Sequence, residues 1–224
     1  MYTVFMDKLF NPDNPVMIAL SRCFDLIVAN ICFVIASIPI FTIGPALSAL
    51  YSVTLKMAEG DSGNTIHRFR NSFRENFRQG VTLWLILLDL SAFLFGDLYV
   101  IFFILPPEYR LLQFPVWILL FPVLSSVIYA FPLLARYEQS NLTLIKNSIL
   151  LSLGNIPLTI SVIVLMGVII DISLHNGGFL VLFFSIFLFM GCALLARIFS
   201  AFFIRIFRTA DERSAEDPDS SHKG

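Results

Sequence analysis

Two charged side chains stand inside long apolar runs, and their chemistry needs an explanation. These residues are Asp89 and Arg197. A charged side chain near the centre of a bilayer costs at least about 2.5–3.5 kcal/mol on insertion scales, so such residues pair with each other or line a polar path. Along a helix, Asp89 lies about 13 Å from Gly80, and Arg197 lies about 12 Å from Arg205. We predict an intramembrane polar pair, which either orients two helices as a buried ion pair or lines a pathway for a substrate or proton.

The chain carries no pattern typical of an enzyme. It has no HExxH, CxxC, P-loop or G-x-S-x-G motif, and its histidines, His67, His175 and His222, are far apart in the sequence. The three cysteines fall in apolar segments and lack the spacing of metal ligands. We therefore expect no catalytic residues, no metal and no cofactor.

The composition places these residues in a bilayer. Hydrophobic residues make up 57% of the chain and charged residues 14%, against roughly a quarter charged in soluble proteins. The mean hydropathy is +0.82. The stretch from Leu26 to Leu55 has no charged residue and exceeds the ~20 residues that one crossing needs. Because Pro39 and Gly44 interrupt it, we predict two helices joined by a turn. The predicted fold class is all-α, a polytopic transmembrane helical bundle.

Six membrane spans are predicted, and the basic residues orient them. The spans are residues 18–39, 43–57, 80–105, 111–135, 153–174 and 178–204. With both termini cytoplasmic, only Arg110 among the basic residues faces outward, as the positive-inside rule requires. Residues 1–208 then form one transmembrane domain, and the polar residues 209–224 form a disordered cytoplasmic tail. The second span is short, so a re-entrant segment is the alternative, which would move the N-terminus outside.

A motif of small residues and prolines surrounds the predicted turn. Its members are Pro39, Thr42, Gly44, Pro45, Ser48 and Ser52. Gly44, Ser48 and Ser52 recur every fourth residue, which gives a helix a groove that another helix can approach closely. Pro45 suits an early helical position, and Thr42 is placed to cap the helix start. We therefore predict a helix-packing turn, with a ligand site at the exposed amides of the turn as the alternative.

The first predicted inner loop has the pattern of an amphipathic helix at about residues 64–78. Phenylalanines recur there at helical spacing, and arginines occupy most of the remaining surface. The predicted contact residues are Phe69, Arg70, Phe73, Arg74, Phe77 and Arg78. We expect an interfacial helix on the cytoplasmic side that binds anionic lipid, or alternatively docks a partner protein. Arginines interleaved with phenylalanines do not indicate nucleic-acid binding.

A weak internal repeat accompanies this pattern. Tyr51 and the following Asn71-Ser72 have counterparts in Tyr129 and Asn147-Ser148. Each copy has a span, a polar loop and a second span. Because both copies run in the same direction, the sequence indicates a parallel repeat.

The residues Pro39 to Tyr51, followed by Phe69 to Gln79, resemble the YesL-like family of uncharacterised bacterial membrane proteins. The resemblance implies a multi-pass plasma-membrane protein, often encoded beside carbohydrate-uptake and sensor-kinase systems, and it implies no catalytic residue. We expect a non-enzymatic accessory component of carbohydrate uptake or sensing. Its expected partners are membrane lipids and a carbohydrate importer or sensor kinase. Two alternatives stay open: a small-solute (sugar) transporter that uses Asp89 and Arg197, and a structural or lipid-organising protein.

Overall fold

A computed structural model describes residues 15–216, except residues 62, 176, 179–180, 182–184 and 186–189. Every regular element with bounds in these ranges is helical, which confirms the all-α class. The α-helices are α1 (Pro15–Ala36), α2 (Ile43–Ala58), α3 (Thr65–Glu75), α4 (Phe77–Tyr99), α5 (Gln113–Arg136), α6 (Asn141–Gly154), α7 (Ile156–His175) and α8 (Cys192–Glu216). Short 3-10 helices cover Ile40–Thr42 and Pro107–Leu112, and a π-helical turn covers Val100–Ile104.

Four of the described helical segments are long and apolar enough to cross a membrane. They are Ile40–Ala58, Phe77–Ile104, Pro107–Arg136 and Ile156–Ser173. These segments match the second to fifth predicted spans, so the membrane-helical character of the chain is supported. The first predicted span corresponds to α1, which is not among the four. The last one, 178–204, lies largely outside the described residues before Cys192. Six spans therefore remain a prediction.

Two helical segments depart from the predictions. Helix α6 occupies a stretch expected to be a loop, and the Ser140 hydroxyl starts it by accepting the Thr143 N–H at 3.4 Å. Helix α8 continues to Glu216, so the segment expected to be a disordered tail from residue 209 begins as helix. Residues 217–224 lie outside the described ranges.

Helix α2 is the centre of the bundle. It packs against α1, α3, α4, α5 and α8. The ring of Phe203, on α8, lies between two tyrosines, with ring centroids 6.1 Å from Tyr51 and 5.4 Å from Tyr129. These tyrosines are the counterparts in the predicted repeat. A long helix, a short helix, an asparagine and another long helix occur in that order twice, with Asn76 and Asn155 at the breaks. The parallel direction of the two copies stays a prediction.

The turn before α2 lies against the start of α4. An added Cβ on Gly80 would lie 2.8 Å from the Pro45 nitrogen, so the two helices touch backbone to backbone. The Trp84 indole N–H also donates to the Ile40 carbonyl at 2.9 Å. Because a hydrocarbon core is about 30 Å thick, the turn and Gly80 cannot lie on its opposite faces. The predicted six-span order puts the turn outside and Gly80 inside, and this contact does not support that part of the prediction.

Candidate functional site

Asp89 lies on the outer side of α4. It is near the middle of the apolar segment Phe77–Ile104 and is exposed. The buried side of the same helix is formed by Leu83, Leu87 and Leu94. In the described part of the chain the Asp89 carboxylate has no ion-pair partner. A lone α4 face in lipid would thus present a carboxyl group to hydrocarbon.

Arg197 lies on another side of the bundle. It is partly exposed on α8, and the like charge of Arg22 on α1 lies close enough to repel it. Helix α8 packs on α1 and α2, whereas α4 packs on α2 and α5. Asp89 and Arg197 therefore do not form the predicted pair. Depth along a helix can be estimated from sequence, but the side of the helix on which a neighbour lies cannot.

The predicted packing motif is found at the turn, with one change of role. The Thr42 hydroxyl lies 2.6 Å from the carbonyl oxygens of both Ala36 and Pro39 and shares its one proton between these two acceptors. It makes no capping hydrogen bond at the start of α2, so that predicted role is wrong. Thr42 instead closes the end of α1, because the last carbonyls of a helix need donors.

The small residues of the motif do allow close packing. Gly44 and Ser48 are buried, and Ser52 is half-buried. An added Cβ on Gly44 would lie 2.6 Å from the Cβ of Trp84. This close approach favours the packing interpretation over a ligand site. The groove seats α4 at its start.

Helix α3 uses its apolar side for the protein core. Phe69 is only 5% exposed and packs in the cluster of α1, α2 and α8, with Phe73 half-buried beside it. A lipid contact for Phe69 is therefore wrong, because the bundle itself covers the ring. The other predicted contacts are exposed: Arg70, Arg74, Phe77 and Arg78.

A hydrogen bond fixes the loop that precedes α3. The Arg68 guanidinium donates to the Asp61 carboxylate at 2.6 Å and to the Asp61 carbonyl at 3.0 Å. The hydrogen bond and the charge of Arg68 hold the pKa of Asp61 below its usual value. At the start of α3, the Asn64 side chain caps the helix by accepting the His67 N–H. The exposed arginines of α3 are thus presented by a helix anchored at its start.

Several polar residues that the sequence interpretation did not single out hold the helices together. The Asn30 side chain accepts the Ala193 N–H at 3.0 Å. The hydroxyls of Thr54 and Ser200 lie 2.8 Å apart, and those of Tyr129 and Thr159 lie 2.9 Å apart. The signal for Asn30 was an amide inside an uncharged run, because a polar side chain in lipid finds partners on other helices.

A polar cavity of about 450 Å³ lies at the junction of α3, α4 and the end of α5. Its lining residues are Glu75, Asn76, Gln79, Leu134, Ala135, Arg136, Tyr137, Glu138 and Gln139. The Gln79 amide donates to the Gln139 carbonyl, and Arg136 pairs at 3.2 Å with Glu59, the residue that follows α2. These contacts fasten the end of α5 to α2 and α4. Among the described residues, no group of three or more His, Cys, Asp or Glu side chains could hold a metal.

Comparisons with known proteins place the chain beside proteins of unknown function. The model of a family described as "Protein of unknown function, DUF624" matches residues 26–98, from α1 to the end of α4. The chain is also similar to the uncharacterized protein YteU of Bacillus subtilis (strain 168), with 27% identity over 163 residues, covering 71% of this chain and 72% of that protein. No solved structure matches the chain. The similarity supports an uncharacterised bacterial family, and the YesL-like resemblance stays a prediction.

Proposed function

We propose that the protein is a non-enzymatic accessory component of the bacterial plasma membrane that docks a partner through the cationic side of α3. The observation that carries this function is the division of α3 into two sides. Phe69 is held in the core of the bundle, while Arg70 and Arg74 are exposed on the other side of α3, next to the exposed Arg78 at the start of α4. A rigidly held cationic surface fits an acidic surface of a partner protein, since complementary potentials steer association. The link to a carbohydrate importer or sensor kinase rests on the family resemblance alone.

The test is co-purification of the tagged full-length chain from its native membrane, with charge reversal at the docking surface. We expect an importer or sensor-kinase component to be enriched and to be lost in Arg70→Glu/Arg74→Glu. The matched control is Lys146→Glu, because Lys146 is exposed on α6 at the position that the repeat equates with Arg70. Loss of the partner in both variants, or in neither, would contradict docking through α3.

A lipid-organising role is the second candidate. Ile66 is 57% exposed and Phe77 is 37% exposed, and both flank the exposed arginines. Apolar side chains beside cations suit a leaflet of anionic lipid, where each basic residue near the surface contributes about 1 kcal/mol. Phosphatidylglycerol retained by the purified chain, measured by native mass spectrometry, tests this role. It should fall in the Arg70→Glu/Arg74→Glu variant if lipid is the ligand.

A transporter receives less support from the geometry. That function required Asp89 and Arg197 to line one path inside the bundle. Asp89 is instead exposed on α4, and α8 packs elsewhere on α2. No contact of these two residues favours a solute pathway, so we do not carry this function forward.

We also propose a revised orientation, in which α2 does not cross the membrane. Both ends of α2 contact the same end of the α4–α5 hairpin: Gly44 lies against Gly80, and Glu59 pairs with Arg136. With the arginines of α3 inside, this end is cytoplasmic, α1 crosses alone and the N-terminus is outside. Labelling of engineered terminal cysteines with an impermeant maleimide tests it. The N-terminal cysteine should react in intact cells and the C-terminal one should not. Protection of both would restore two cytoplasmic termini.

A further inference from the structure

Two opposite charges lie on separate faces of the bundle without an ion-pair partner among the described residues. Asp89 is exposed on α4, and Arg197 is partly exposed on α8. Arg22 of α1 is the charged residue beside Arg197. Asp25, about one turn further along α1, accepts the Thr65 hydroxyl at 3.0 Å. Since intramembrane charges are paired with one another or with other polar groups, each of these faces needs a complement.

The levels of the two charges can be compared through one buried cluster. Asp89 follows Leu87 by half a turn, and Leu87 belongs to the same buried cluster as Tyr129 and Phe203. The Tyr129 and Phe203 rings are in contact, with centroids 5.4 Å apart. Arg197 precedes Phe203 by about 9 Å of helix, and Asp89 follows Leu87 by about 3 Å. The difference of about 6 Å is within the reach of an extended arginine side chain. A neighbouring α8 face can therefore bring its guanidinium to the level of Asp89.

The surfaces around the two charges suit a helix–helix contact. Beside Asp89 the exposed face of α4 carries Ala92 and Gly96, and an added Cβ on Gly96 would meet nothing within 4 Å. Small side chains let a second helix approach closely in lipid. Beside Arg197 the exposed face of α8 carries the apolar Leu194 and Ala201. Each face is thus largely apolar, and the negative charge of Asp89 is opposite in sign to Arg197 and to the neighbouring Arg22.

We propose that the chain self-assembles head to tail, with the Asp89 face of α4 in one copy bound to the Arg197 face of α8 in a second copy. One such contact satisfies an acid and a base that a single chain keeps apart. Contact of α4 with α4 would instead bring two carboxylates together, which like-charge repulsion disfavours. Helix α2 packs on both α4 and α8. Because the contact joins two different faces of the chain, it is heterologous and generates either a closed ring or an open row.

Charge exchange between the two faces tests this assembly. The full-length chain is reconstituted in phosphatidylethanolamine–phosphatidylglycerol vesicles, and association is measured by energy transfer between labelled copies as the protein-to-lipid ratio is varied. We expect Asp89→Arg and Arg197→Asp each to weaken association at least tenfold. The double variant should associate to within threefold of the wild type. A wild-type chain that stays monomeric at every ratio would overturn the proposal, as would a folded double variant no better than the single ones.

A second measurement uses neutral variants, which remove a charge without introducing the opposite one. Asp89→Asn copies keep an intact α8 face, and Arg197→Gln copies keep an intact α4 face. Each variant alone should be monomeric, and their equimolar mixture should give dimers and nothing larger, because only one functional contact remains per pair. Larger species in the mixture, or equal association of each variant alone, would refute a head-to-tail contact.

Cross-linking identifies the faces directly. In a chain whose native cysteines are replaced by serine, Gly96→Cys should form a disulfide with Leu194→Cys of another copy, because α4 and α8 run in opposite directions and both positions lie outward of the charged residues. The control is Gly167→Cys, since Gly167 is equally open on α7. Equal cross-linking from Gly167, or disulfides that join Gly96→Cys to itself, would place the contact elsewhere. Cross-links from Gly96 only to a different protein would assign this face to a heterologous partner and overturn self-assembly.

Discussion

The substitution Gly80→Ala probes the backbone contact between α2 and α4. An added Cβ would lie 2.8 Å from the nitrogen of Pro45 and 2.9 Å from its Cα. Overpacking costs typically about 1–3 kcal/mol, and the obstacle here is backbone that cannot rotate away, so we take about 3 kcal/mol. Alanine recovers about 1 kcal/mol over glycine inside a helix. The free energy of unfolding should therefore fall by about 2 kcal/mol, roughly a 30-fold change in the unfolding equilibrium.

The same helix provides the matched control for this prediction. An alanine at Gly96 meets nothing within 4 Å, so Gly96→Ala should raise stability by up to about 1 kcal/mol through helix propensity alone. Titration with SDS from dodecylmaltoside micelles, followed by circular dichroism and by tryptophan fluorescence, measures both variants. Equal stability of the two variants would refute the reasoning, because it would mean that α2 and α4 do not approach as closely as the structure shows.

Three further predictions concern polar contacts. Asn30→Leu should cost about 1–3 kcal/mol in the same SDS titration, because the buried Ala193 N–H loses its acceptor; unchanged stability would contradict that contact. Thr42→Val should cost about 0.5–1.5 kcal/mol, whereas Thr42→Ser, which keeps the hydroxyl that closes α1, should cost less. Arg68→Gln should raise the pKa of Asp61 towards 3.8 in an NMR titration. In the wild type, this contact stabilises the fold above the unfolded-state pKa and is lost as the pH falls through the depressed folded-state pKa.

Local features of the fold follow from the sequence. The turn residues Pro39 and Gly44 do separate α1 from α2, and the phenylalanine spacing at residues 64–78 predicts α3, which spans Thr65–Glu75. These features depend on backbone preference and on a period of 3.6 residues, which short stretches of sequence contain. The small face of Gly44 and Ser48 was also readable, because a groove is a property of one helix.

Relations between distant helices were not readable. The sequence shows that Phe69 has an apolar face to bury, but both lipid and the bundle could cover it. Charge distribution placed the turn at Gly44 and the helix start at Gly80 on opposite sides of the membrane. Their contact depends on glycine at both positions, and the hydropathy of the sequence does not reveal it. Asp89 could be assigned a depth, but the direction in which it points depends on which helices pack against α4.

The hydrogen bond between the Asn30 side chain and Ala193 has a consequence for biosynthesis. The two residues are 163 positions apart. At 5–20 residues per second, the ribosome needs about 8–33 s to extend the nascent chain from one to the other. During that time α1 lacks the hydrogen bond that later joins it to α8. A message cut short before α8 would give a chain in which the Asn30 side chain never makes its hydrogen bond with Ala193.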